Sequence, residues 1–322
     1  MKKAVLEARK KSEKKMRYCM FNNCTNTAIK SHVLQKNGIL REISDKNHLI
    51  QMAPVNPFEM SSKGPLDFKL VGINDVYTFQ GFCSTHDSEM FKKIETESTL
   101  DFNDKNQQAL FCYRGLCQEI RRKEIATEWM LELKSHFPAH FLPLIESLLD
   151  GYSDGIKNLN LFKTELEKTI NSQNTDSFYF ETIKIPKIEL CISVPLNIGE
   201  LEIPNDLDYE KWRREKPTMS TSFINIFPKG NESFAIIGYH KNYPCNWTIN
   251  LINKLKSEDK NKIFKELSDL VTLRLEFWSM SKSLFDTIPQ IKLAEFKFLF
   301  MQNSFDHSPK LETKLNLFEH LK

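Results

Sequence analysis

The spacing of apolar positions changes character along this chain, and each change marks a boundary. From residue 101 onward Ala109, Tyr113, Leu116, Cys117 and Ile120 recur at intervals of three and four, the period of one helix face. Asp101, Asn103 and Asp104 stand before them as candidate N-caps. The helix should run through Trp129, Met130 and Leu133 and stop near Pro138. A second helix starts near His140 or Pro143 and keeps the same period from Ile145 to Ile170, so the two predict an antiparallel hairpin with weak points at Gly151 and Gly155. Residues 171–177 are polar and form the clearest linker.

Beyond that linker the period becomes two. Phe178 and Phe180 alternate, as do Ile188, Leu190, Ile192 and Val194. Residues 223–227 and 234–239, joined through Pro228-Lys229-Gly230-Asn231, predict a β-hairpin, and residues 201–217 between these strands read as polar and turn-rich. Helical spacing returns over 247–255 and again over 262–278, with smaller helices or a final strand at 281–288 and 294–301. Before residue 100 the pattern is broken. Short strands are expected at 28–34, at 48–52 and around Phe68, Leu70 and 76–79, with a helical turn at Leu40 and Ile43 and a proline-rich loop over 53–65.

These patterns describe an α+β chain with an antiparallel C-terminal sheet. Its expected divisions are a basic arm at 1–17, a metal-centred domain at 18–100, a helical region at 101–172 and an α+β domain at 177–322. Composition adds limits. With 322 residues, 40% of them apolar and 27% charged, the chain suits an ordinary globular protein. No run approaches the ~18 apolar residues of a membrane span, and no apolar segment follows the basic start, so a cytoplasmic protein without membrane contact is expected. Residues 1–17 carry eight Lys and Arg against two Glu, a net +6 in a chain of +3, so the remainder is close to −3. Only that arm is charged to touch nucleic acid; otherwise it serves as a solubilising terminus.

Seven cysteines, an odd number without dense spacing, argue against a disulfide framework. Four donors carry the chemistry instead. Cys19 and Cys24 form a C-x4-C pair, and Cys83 and His86 form a C-x2-H pair at the start of an expected helix. Two close pairs of Cys or His are the usual way to deliver a tetrahedral structural Zn²⁺. A pair on a tight turn and a pair on the first turn of a helix make a treble-clef (ββα-metal-like) finger. Cys112 and Cys117 fall inside the long helix and read as core packing. Only ten glycines and no glycine-rich loop argue against a nucleotide cradle.

The segment from Cys19 to about Glu95 resembles the HNH, or His-Me finger, nucleases. Eight positions after Cys24 comes His32, in Ser31-His32-Val33-Leu34, similar to the "E-H-V-I-P" or "S-H-I-I-P" stretch of compact members. The resemblance implies a metal-dependent endonuclease acting on DNA or RNA, with a bacterial anti-phage defence role. It makes His32 the general base and places Asp87, next to His86, on a catalytic Mg²⁺ or Mn²⁺. The chain departs from that pattern at Ser31, where members carry Asp or Glu, and no asparagine holds the middle position, Asn47 and Asn74 being the candidates. His48 could face His32, act as a second base or replace a zinc ligand. The chain also resembles uncharacterised bacterial proteins that combine C-x4-C, S-H-x-x-Q and F-C-x-x-H-D, which here are Cys19 to Cys24, Ser31 to Gln35 and Phe82 to Asp87. The alternative function is a non-catalytic zinc-stabilised sensing or assembly protein, with protein partners on the helical or C-terminal part.

Overall fold

The computed structural model describes residues 2–56, 58–198, 218–303 and 311–321, so the expected turn-rich stretch 201–217 lies outside the described residues. The chain is α+β. Its centre is a seven-stranded sheet of order β3-β2-β9-β6-β7-β8-β5, every neighbouring pair antiparallel. The strands are β2 (His48–Pro54), β3 (Leu66–Gly72), β5 (Phe178–Pro186), β6 (Leu190–Leu196), β7 (Ser222–Lys229), β8 (Glu232–His240) and β9 (Ser279–Met280). A separate small ribbon pairs β1 (Lys30–His32) with β4 (Thr78–Gln80).

The expected hairpin forms. Lys229 pairs with Glu232, and Gly230 takes a φ of +63° in the two-residue connection, a conformation that costs glycine nothing. Its strands are buried on both sides, so β7 reads as a continuous run: Phe223 and Phe227 face one core, Ile224 and Ile226 the other. The same holds in β6, where Leu190, Ile192 and Val194 line the second core and Cys191 the first. Period two marks one face of that strand; the second face is small and polar, and a neighbouring helix covers it.

That helix is α6 (Lys105–Leu133), capped by Asp104, whose side chain accepts the Asn106 N–H at 2.8 Å. Packed antiparallel to it is α7 (Leu142–Ser172), which ends on Gln173 at φ 54° and continues through Gly151 and Gly155 without a break. Gly115 lets α6 approach β6 closely, since a Cβ there would stand 2.8 Å from the Ser193 hydroxyl and 3.3 Å from the Ser193 backbone. Residues Lys2–Lys14 form α1, which lies along α6 with Ala8 and Ser12 buried. The opposite face of the sheet is covered by α8 (Asn246–Leu255), α9 (Lys260–Leu273), α10 (Lys282–Thr287) and α11 (Gln290–Asn303).

Two boundaries differ from the sequence reading. The helix expected over 262–278 stops at Leu273, because Ser279 and Met280 are needed as β9 to join Ile50 and Gln51 of β2 to Leu190 and Cys191 of β6. The loop expected over 53–65 begins only after Pro54 and contains a short helix, Met60–Lys63. The two-residue β9 is what fastens the early strands β2 and β3, from 18–100, onto the strands of 177–322. None of the described helices is long and apolar enough to cross a membrane.

Candidate metal centre

Cys19, Cys24, Cys83 and His86 come together although 59 residues separate the inner pair. Cys19 donates its N–H to the Asn26 carbonyl at 2.8 Å and Cys24 donates to Phe21 at 3.1 Å, closing a tight turn in which Asn23 takes a φ of 59°. The other two donors stand at the opening of α4 (Ser84–Met90). Cys83 is its N-cap residue, and Asp87 returns its N–H to the Cys83 carbonyl at 2.9 Å. The two halves are bound by backbone: Met20 N–H to Gly81 at 2.8 Å and Ile29 N–H to Phe82 at 2.7 Å. The Phe21 ring lies 4.4 Å from the His86 imidazole.

The donor atoms all lie within 4.8 Å of one another. Metal–sulfur bonds of about 2.3 Å and a metal–nitrogen bond of about 2.0 Å at tetrahedral angles require S···S near 3.8 Å and S···N near 3.5 Å. The observed Sγ–Sγ distance between Cys24 and Cys83 is 3.9 Å, and His86 Nδ1 lies 3.4 Å from Cys19 Sγ and 3.3 Å from Cys83 Sγ. The group can hold a metal ion. Its electrostatics point the same way. Burial pushes the Cys19 thiol up to about 11. Burial also raises Cys83, but its backbone contact with His86 and the neighbouring thiols bring it down overall. Crowded thiols resist shared ionisation until a cation compensates their charge. Among the described residues this is the one such group of His, Cys, Asp and Glu donors.

The centre is docked onto the helical hairpin. Asn22, inside the turn, donates its N–H to Glu167 of α7 at 3.2 Å; the same carboxylate oxygen accepts the Tyr113 hydroxyl at 2.5 Å and pairs with Lys163 at 2.6 Å. Arg121 of α6 donates to the Gln80 and Tyr18 carbonyls at 2.9 Å each. Arg114, only 1% exposed, reaches Glu95 at 2.6 Å and Asp87 at 3.3 Å and lies 4.0 Å over the Phe91 ring. Tyr113 lies on the apolar face that the sequence predicts, whereas the roles of Arg114, Arg121 and Glu167 escaped the sequence reading, since the apolar period does not place Arg114 or Arg121 in the core.

His32 and Asp87 stand close in sequence to the donors but are engaged elsewhere. His32 is half-buried on β1, and its Nε2 donates to the Ile73 carbonyl at 3.0 Å, which leaves Nδ1 as the acceptor nitrogen. Burial holds this imidazole below its usual value; the Ile73 carbonyl opposes that, and the Lys36, Arg114 and Lys30 cations add to the lowering. The carboxylate of Asp87 faces Arg114. His48 is exposed on β2, its Nδ1 on the Lys46 carbonyl at 2.8 Å, and it stands outside the donor group. Asn74 accepts from Lys36 at 3.2 Å, and the Asn47 carbonyl accepts the Ile73 N–H. Ser31 is buried and accepts the Phe82 N–H at 3.2 Å, a backbone role for the position where the nuclease pattern has an acid. Cys112, Cys117 and Cys191 are buried in the first core, where desolvation pushes their thiols well up.

No family model matches the chain, and no curated protein or solved structure is significantly similar to it.

Proposed function

We propose that the ion is zinc, that the turn-plus-helix arrangement is a treble-clef finger, and that its role is structural, within a non-catalytic sensing or assembly protein. The observation that carries this reading is the closed donor set. Three sulfurs and one imidazole nitrogen fill all four positions of a tetrahedral ion and leave none for water or substrate. Thiolates with one imidazole suit zinc, whereas Mg²⁺ and Mn²⁺ prefer oxygen ligands. The carboxylates of Asp87 and Glu95 are paired with a buried guanidinium. The expected result is one zinc per chain after purification without chelator. Plasmid DNA and RNA should stay intact with Mg²⁺ or Mn²⁺. Protein free of stoichiometric metal, or cleavage that His32→Ala abolishes, overturns this reading.

One observation favours a second reading, metal-dependent cleavage of DNA or RNA in a defence role. The Ile73 carbonyl fixes the His32 tautomer, and burial favours the neutral ring, the state a general base needs. In that reading Asp87 ligates Mg²⁺ or Mn²⁺ only after leaving Arg114. The same cleavage assay separates the two readings.

A further inference from the structure

Three of the seven cysteines meet at the candidate metal centre, and their surroundings differ. Cys19 and Cys83 are buried, whereas Cys24 is half-buried. Cys19 is pinned on both sides, its own N–H on the Asn26 carbonyl and the Met20 N–H on Gly81, each at 2.8 Å. Cys24 lies outside every helix and strand, and its N–H bonds back into its own turn, to Phe21 at 3.1 Å. Its sulfur stands 3.9 Å from that of Cys83, the N-cap residue of α4. A disulfide holds its sulfurs about 2.05 Å apart, so Cys24 and Cys83 must close by about 1.9 Å. The turn can supply that movement without breaking a helix or a strand. The other four cysteines, Cys112, Cys117, Cys191 and Cys245, are buried.

From this arrangement we infer, on the structural-zinc reading, that the centre is a peroxide-sensitive switch in which oxidation joins Cys24 to Cys83 and expels the ion. A reachable thiolate beside a second one is the pairing that redox sensing needs. The Cys24 sulfur attacks one oxygen of hydrogen peroxide; an S–O bond forms, the O–O bond breaks, and the departing hydroxide takes up a proton as water. The Cys83 sulfur then attacks the Cys24 sulfenic acid. The S–S bond forms, the S–O bond breaks, and a second hydroxide leaves as water. Two thiolates, one peroxide and two protons give one disulfide and two waters, the sulfurs supplying both electrons. Cys19 and His86 remain, half the donor set that a tetrahedral zinc requires. The change has a path outward. Asn22 lies two residues before Cys24, and its N–H docks the turn on Glu167 of α7 at 3.2 Å, so redrawing the turn loosens it from the helical hairpin.

The test treats the zinc-loaded full chain, freed of reductant, with excess hydrogen peroxide while a zinc-sensitive dye follows released metal. Peptide mass mapping then reads the state of each cysteine. Loss of the zinc together with a Cys24–Cys83 link is expected, the four core cysteines staying as thiols. Dithiothreitol and added zinc should restore both thiols and metal. Cys24→His keeps four donors and removes the attacking sulfur, so it should hold its zinc under the same treatment. If that variant fails to load zinc, the mapping on the wild type decides alone. Zinc retained by the wild type, release without the Cys24–Cys83 link, or release from folded, loaded Cys24→His overturns the switch and leaves the structural-zinc reading standing. Protein that carries no zinc before peroxide is added overturns that reading and the switch with it.

Discussion

Asp87, the residue after the candidate donor His86, lies 3.3 Å from the guanidinium of Arg114 of α6. Arg114 also holds Glu95, so one buried cation on α6 ties together Asp87 and Glu95, which stand at either end of the segment that follows the donor group.

Replacing Arg114 should therefore be costly. Breaking a fully buried pair costs roughly 3–5 kcal/mol. Here the carboxylates are 21% and 33% exposed and can recover water, so Arg114→Met should cost about 2 kcal/mol. Asp87→Asn should cost under about 1 kcal/mol, because Glu95 still compensates the guanidinium. Urea titrations of both variants check this; equal losses would show that Arg114 is not the anchor.

Metal removal should loosen one region first. Cys83→Ala takes away a donor that also starts α4. Bound metal drops to zero, residues 17–30 and 80–90 lose hydrogen-exchange protection, and α6 and α7 keep theirs through the side of the first core they share with the sheet, including Cys191, Phe223 and Phe227. Uniform loss of protection would mean that the centre nucleates the entire fold.

Stability should fall on acidification. His32, His240 and His320 are each held below their usual value, chiefly by burial. The unfolded chain then binds more protons than the folded one below about pH 6.5, so stability present above that pH is lost as pH falls. Burial raises Glu128, but Arg17 and Lys15 outweigh it, and Lys254 lowers Glu312; these acids steepen the loss below their unfolded value of 4.5. The urea midpoint should be flat from about pH 8 to 7, decline towards pH 5 and drop faster below 4.5. A midpoint that rises between pH 7 and 5 contradicts the assignment.

The helix-to-sheet approach at Gly115 should tolerate no branched side chain. The Ser193 hydroxyl can rotate away, but its backbone carbon at 3.3 Å cannot. Gly115→Val should cost about 1–3 kcal/mol by overpacking, readable as a lower denaturation midpoint. A neutral result would place α6 farther from β6.

The basic arm should bind polyanions less well than its sequence suggests. Lys11 pairs with Glu132 at 3.0 Å and Lys15 with Glu128 at 2.9 Å, while Arg17 grips both oxygens of Glu128 at 2.7 and 2.8 Å. The Glu128→Gln/Glu132→Gln double variant should elute from heparin at higher salt than the wild type, since the freed cations can then displace counterions. Unchanged elution would mean that these cations never reach the polyanion.

Local pattern was enough for the two long helices, the hairpin from β7 to β8, and the choice of Cys19, Cys24, Cys83 and His86 as one donor set, because each rests on spacing within a few residues or on a ligand chemistry few side chains share. The three-dimensional arrangement alone determined the rest. Ser279 and Met280 have no strand pattern of their own, yet as β9 they join the early strands to the late ones. Arg114 and Glu167 look like helix-surface charges until tertiary packing buries them beside partners up to 145 residues away. Such roles depend on which distant groups arrive to satisfy a buried charge or an unpaired strand edge, and a neighbour-by-neighbour period carries no record of that.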